Sequence, residues 1–119
     1  MVFDHCFRPG SSTTLCHPYI GVIDNAYKRV CVLSENGDFE RHFHVPYHGC
    51  SLAATEDNYL VIASKSKAVM VYKLNGTQVD EFGGDSEPQR FDGPCGICVD
   101  NNGQVYVADN NRVLVYRRR

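Results

Sequence analysis

Three groups of residues in this chain are of types that could do chemistry. Cys95 and Cys98 form a C-x-x-C in "PCGICVD". A redox motif wants such a pair at a helix N-terminus, where the dipole lowers a thiol pKa. Here the pair enters an alternating apolar run, and residues three apart on a strand point to opposite faces. The motif therefore reads as structural. "HFHVPYHGC" brings together His42, His44, His48 and Cys50. His42 and His44 would share one face of a strand, but no complete ligand set follows, and histidines on a solvated strand and loop are the plainer reading. No cofactor is expected. The third group interleaves cations with aromatic and polar residues: Tyr27, Lys28 and Arg29; His44, Tyr47 and His48; Lys65 and Lys67; Arg90; Asn111 and Arg112. Such a mixture suits contact with RNA or an acidic peptide. An ordinary solvated rim would look the same in sequence.

The elements that must position these residues repeat along the chain. "CGICVDNNGQVYVAD", from Cys95, aligns without a gap on "CSLAATEDNYLVIAS", from Cys50. "RVCVLSENGDFERHF", Arg29 to Phe43, aligns on "AVMVYKLNGTQVDEF", Ala68 to Phe82, and "RVLVY", Arg112 to Tyr116, opens the same pattern again. A period of roughly 39 to 45 residues marks a repeat architecture. Glu81 and Gly83 stand in the second copy where His42 and His44 stand in the first, which again argues against a metal site.

Each copy reads as four short antiparallel strands, a to d. In the first, a lies near 11–15, b near 19–24, c near 29–33 and d near 38–43. In the second they lie near 51–55, 59–63, 68–73 and 77–82. The third has only a, b and c, near 96–99, 104–108 and 112–117. Asn36-Gly37, Asn75-Gly76 and Asn102-Gly103 predict type I′ turns, because Asn and Gly tolerate positive φ. Val30, Val32, Val69, Val71, Val113 and Val115 are predicted to be buried, since c strands of neighbouring sheets pack on one another. Cys31 and Cys98 are expected to act as small buried hydrophobes. No apolar pattern is long enough for an amphipathic or membrane helix. Four-stranded repeats of this length predict blades of a β-propeller, which bury both faces of each sheet by stacking around a channel.

"FDGPCGICVDNNGQVYVADNNRVLVYRRR", Phe91 to Arg119, resembles the NHL repeat. That pattern is carried by Phe91, Pro94, Gly96, Ile97, Val99, Asp100, Gly103, Tyr106 to Asp109, Asn111 and Arg112. The first copy follows it more loosely through Asp24, Arg29, Val30, Gly37 and Phe39, and the second departs most, with Ser64 for the Asp and Ala68 for the Arg. The resemblance implies an all-β fold: a partial NHL-type propeller filling residues 1–119, with repeats near 11–43, 50–83 and 91–119 and the ring not closed. It further implies a substrate-recognition module of a TRIM-NHL-type ubiquitin ligase, non-catalytic by itself, since nothing here resembles a RING or B-box. An RNA-binding NHL platform is the alternative, and a propeller lyase or hydrolase with a central metal is the third reading.

The remaining expectations concern charge, compartment and closure. Net charge is −2 and the pI about 6.2, where a dedicated nucleic-acid module would more often be basic. The first residues lack a basic region followed by an apolar run, so a cytoplasmic protein with six free thiols and no membrane contact is expected. In an up-and-down blade the b–c and d–a loops share one end, and that end is the relatively basic one. The other carries Glu35, Asp38, Glu56, Asp57 and Asp100. A protein or RNA partner is expected on the basic end: the candidate face is Tyr27, Lys28, Arg29, His44, Tyr47, His48, Lys65, Lys67, Arg90, Asn111 and Arg112. The absent blades would come from a longer chain or from self-association. "FDHCF", Phe3 to Phe7, resembles the d strand "FERHF" and is a candidate to complete a third blade lacking its own d.

Overall fold

The computed structural model describes residues 13–16, 18–25, 27–64, 68–83, 94–109 and 112–117. These form eleven strands and no helix, so no described helix is long and apolar enough to cross a membrane. Strands β1 (Thr13–Cys16), β2 (Tyr19–Asp24), β3 (Arg29–Ser34) and β4 (Phe39–His44) make the first sheet in the order β1-β2-β3-β4. Strands β5 (Gly49–Ala54), β6 (Tyr59–Ser64), β7 (Val69–Lys73) and β8 (Gln78–Phe82) make the second in the same order. Strands β9 (Pro94–Val99), β10 (Gln104–Asp109) and β11 (Arg112–Arg117) make a third sheet of three strands. All pairings are antiparallel between chain neighbours, which is the up-and-down pattern of propeller blades.

Alternation within each strand divides its side chains between two faces, and stacking buries both faces of the second sheet. One core lies between the first and second sheets: Ile23, Val30, Leu52, Leu60, Ile62, Met70 and Tyr72, with Phe43 packed against it. A second lies between the second and third: Val61, Ala63, Val69, Val71, Phe82, Val105 and Val107, joined by Ile97, Val99, Leu114 and Tyr116. One contact recurs at both seams. The last Phe of a d strand lies against the Tyr that ends the next sheet's apolar c-strand run: Phe43 on Tyr72, 5.3 Å between ring centroids, and Phe82 on Tyr116, 4.3 Å. The fit is close at Gly49, where an added Cβ would lie 2.7 Å from Cδ1 of Ile23.

Two expectations are corrected. Val30, Val32, Val69 and Val71 are buried, but Val113 is 64% and Val115 52% exposed. Cys98, on the same face by register, is exposed as well, whereas Cys31 is buried as expected. The reason is that the first valines of each c strand face the following sheet, and no described sheet follows the third.

The turns are also of a different kind. Gly37, Gly76 and Gly103 have φ of 89°, 93° and 82°, but Asn36, Asn75 and Asn102 are not in the positive region. Each of these turns closes with a bond from the Gly N–H to the carbonyl three residues back: Gly37 to Ser34, Gly76 to Lys73, Gly103 to Asp100. A second bond joins the residue before the loop to the one after it, as in Ser34 N–H to the Asp38 carbonyl. That pattern fits a three-residue loop, a type I turn followed by a left-handed bulge residue, in place of a two-residue type I′ turn. The Thr55–Tyr59 hairpin has the same bonds, with Asn58 (φ 67°) in the glycine's place.

Candidate functional site

The loops joining b to c and d to a meet at one end of the first sheet, and this juxtaposition builds the candidate surface. The β2–β3 loop is closed by an ion pair: Arg29 Nε donates to Asp24 Oδ2 at 2.9 Å. Asp24 is buried, and its hydrogen bond holds the Arg29 guanidinium even more firmly in its charged form than usual. The guanidinium also lies 5.0 Å from the centroid of the Tyr27 ring. Lys28 takes a positive φ of 51°, and its carbonyl accepts the N–H of Val45 at 2.8 Å.

The d–a loop is tied down from the other side. Asn25 donates through Nδ2 to the Gly49 carbonyl at 2.9 Å and accepts the Gly49 N–H through Oδ1 at 3.0 Å. The loop between β4 and β5 is therefore held at both ends against the loop between β2 and β3. In register, Arg29 stands opposite His44, and the His44 ring meets His42 edge-on at 5.5 Å.

Of the predicted face, Tyr27, Lys28, Arg29, His44, Tyr47 and His48 come together here. Tyr27 is 66% and Tyr47 43% exposed, and Lys28, His44 and His48 are exposed too. Arg29 is half-buried and committed to Asp24. Arg112 sits at the corresponding loop of the third sheet, where its Nε donates to the buried Asp109 at 3.1 Å. Lys65, Lys67, Arg90 and Asn111 lie outside the described residues. In the second sheet the same corner shows no ion pair among the described residues. Ser64 Oγ instead donates to the Ala68 carbonyl at 3.0 Å, which suits a corner carrying neither the Asp nor the Arg.

Sequence reasoning named Asp24 and Asp109 as positions of the repeat pattern and as loop charges, without pairing them with Arg29 and Arg112, and passed over Asn25. Burial of the two carboxylates was signalled by their place at the end of an apolar strand. The Asn25–Gly49 clasp spans 24 residues and left no local signal.

Elsewhere, the acidic end holds a groove of about 590 Å³ between the second and third sheets, lined by Thr55, Glu56, Asp57, Tyr59, Val79, Asp80 and Asn101 to Gly103. Among the described residues no three His, Cys, Asp or Glu side chains are grouped to hold a metal ion. Cys31 and Cys98 are free thiols, and burial raises the pKa of Cys31.

The sheets and their stacking define the chain as an open segment of a β-propeller. The NHL repeat model matches residues 91–116. Solved structures agree on the fold. Hydrazine synthase of Kuenenia stuttgartiensis superposes with a TM-score of 0.76 at 18% identity, covering 96% of this chain and 35% of that one. Virginiamycin B lyase from Staphylococcus aureus gives 0.62 at 16% identity, covering 83% and 37%. BBS1N, solved in complex with ARL6DN, gives 0.66 at 15% identity, covering 83% and 32%. The chain thus spans about a third of the length of each of these structures. No curated protein matches it in sequence.

Proposed function

We propose that this chain is the recognition part of a TRIM-NHL-type ubiquitin ligase of the cytoplasm, and that it binds a protein substrate on the rim formed by Tyr27, Lys28, His44, Tyr47 and His48. One observation carries the reading: two exposed aromatic rings, a lysine and two histidines are gathered on loops that the Asn25–Gly49 clasp and the Val45–Lys28 bond hold fixed. A preorganised aromatic rim binds without first paying to order its loops. The charge balance favours protein over RNA. Asp24 and Asp109 each offset an arginine, so among the described residues Lys28 is the cation of this rim not engaged with a buried carboxylate. Propeller neighbours support the fold on which such a rim is carried, and the NHL repeat supports the family assignment.

The RNA reading draws on one feature, the stacking of Tyr27 with Arg29 beside Lys28, which resembles a base-stacking platform. A photo-crosslinking amino acid at position 27 or 47, with position 56 at the opposite end as control, separates the two. Protein adducts at 27 and 47 that carry ubiquitin and are lost on Lys28→Glu are expected. Ribonuclease-sensitive adducts whose yield falls steeply with salt would favour RNA. Equal yields at all three positions would remove the rim from consideration.

A further inference from the structure

Among the described residues, every positive-φ position but one is held by Gly or Asn: Gly37, Gly76, Gly83, Gly103 and Asn58. These are the residue types that tolerate the left-handed region. The exception is Lys28, with φ 51° in the β2–β3 loop. A lysine there carries a steric cost that Gly or Asn would avoid, because its Cβ crowds the following carbonyl. The third copy makes the other choice in sequence: Asn111 immediately precedes Arg112, as Lys28 precedes Arg29. The strained shape is held from outside the loop, since the Lys28 carbonyl accepts the Val45 N–H at 2.8 Å. Lys28 itself is exposed, so packing does not account for a lysine at this place. Strain kept at a surface residue without burial in return points to a contact made by its side chain.

We propose that Lys28 selects the segment bound on the rim, and that this segment carries an Asp or Glu carboxylate that pairs with the Lys28 ammonium beside Tyr27 and Tyr47. The inference rests on the function proposed for the rim and adds the chemistry of what is bound there.

The charges around Lys28 favour an acid. Asp24 is buried and offset by Arg29, so it does little to repel an incoming carboxylate. The acids Glu35, Asp38 and Glu40 lie in the β3–β4 turn and the start of β4, away from His44 at its other end. The rim thus sets a lysine beside two exposed rings and the imidazoles of His44 and His48. Such a surface attracts a carboxylate and repels Lys or Arg, and ring cover strengthens the pair by excluding water. A phosphate backbone would also meet Lys28. Nucleic-acid affinity, however, is built from several such contacts, and Arg29 is committed to Asp24.

The test selects a random-peptide phage library on the 119-residue chain, and repeats the selection on Lys28→Gly and Lys28→Glu. Peptides rich in Asp and Glu are expected on the unaltered chain. A selected peptide, synthesised and labelled, should bind Lys28→Gly about tenfold more weakly in fluorescence anisotropy, as for a lost charged hydrogen bond. Lys28→Glu should enrich Lys and Arg instead. Stability should not follow affinity. Lys28→Gly should keep the thermal midpoint and Lys28→Asn should raise it, because both residues accept the left-handed backbone. A fall in the midpoint of either variant would make Lys28 a structural residue and overturn the proposal. So would selected peptides without acidic enrichment, or affinity indifferent to Lys28→Gly. If such peptides still crosslink to a photoreactive residue at position 47, the rim stands as a protein-binding surface and only the chemistry assigned to its ligand fails. A library that yields no peptide crosslinked at position 47 would overturn the rim itself. Tighter, Lys28-dependent binding of a random-sequence RNA pool would give the carboxylate's place to phosphate and overturn the proposal as well.

Discussion

Val69 and Val71 in β7 hold the same places in their repeat as Val113 and Val115 in β11, and both pairs sit in a V-x-V-Tyr pattern. The first pair is fully buried, against Val105 and Val107 of the third sheet, while the second is more than half exposed. The intervening residues behave alike: Met70 and Tyr72 pack on the first sheet, and Leu114 and Tyr116 on the second. Burial in a stacked repeat is thus not a property of the strand that carries the pattern. It belongs to the neighbour, and each sheet supplies the cover for the one before it.

The largest expected effect lies where two sheets are joined. Phe82→Ala removes a buried ring from the Tyr116 contact and should cost about 3–5 kcal/mol by chemical denaturation. Phe43→Ala, at the partly exposed equivalent on Tyr72, should cost less. An equal cost would mean that the two seams are equally tight and would break the comparison.

The valines come next. Val71→Ala should cost about 1–3 kcal/mol, and Val115→Ala should stay within about 0.5 kcal/mol. Equal losses would show that β11 is covered in solution. A third pair sharpens the view of the b–c corners. Asp109→Ala leaves Arg112 without its carboxylate and should cost about 1–3 kcal/mol, whereas Ser64→Ala removes one neutral hydrogen bond and should cost about 1 kcal/mol.

The smallest effect separates the turns by pH. Ser34 Oγ and Thr55 Oγ1 accept the N–H four residues on, from Asp38 and Tyr59, and neither hydroxyl titrates. In the third sheet Asp100 does this work, accepting N–H bonds from Gln104 and Asn102 at 2.9 Å each and the hydroxyl of Tyr106 at 2.9 Å. Those bonds, the Gln104 backbone N–H foremost, lower the Asp100 pKa. A lowered folded pKa means stabilisation that is present above the unfolded value, about 3.9 for Asp, and lost as pH falls through the folded one. Acid should therefore loosen the Asp100–Gln104 hairpin before the hairpins at 34–38 and 55–59. Residue-resolved NMR across an acid titration checks this, and Asp100→Ser should abolish the difference.

Much of the fold was legible because period-2 alternation is a local property. Strands β2 and β11 lie where the alternation places them, and the other strand ends differ by at most two residues. The partial propeller follows from the repeat itself. The turns were misread because Asn-Gly suits both a two-residue loop and the end of a three-residue one. The choice is made by register, which shifts between Val32 and Leu33 and between Val71 and Tyr72. Asn58 was missed as a turn residue because no glycine marks it. On the candidate surface, the exposed aromatics and histidines could be read from their loops. The commitment of Arg29 and Arg112 to buried carboxylates could not, since a charge count does not say which charges face each other. Exposure of Val113 and Val115 was hidden for the same reason as the clasp at Asn25: both depend on residues far away in sequence.

The central claim, that each sheet is covered by the next and that among the described residues none covers the third, is tested most directly by native-state amide hydrogen exchange of the 119-residue chain, read strand by strand. Strand β7, paired on both sides and sandwiched between sheets, should exchange only through global unfolding. Strand β11, which among the described residues is paired with β10 and carries the exposed Val113 and Val115, should exchange orders of magnitude faster through local opening. Equal protection of β7 and β11 would contradict the account.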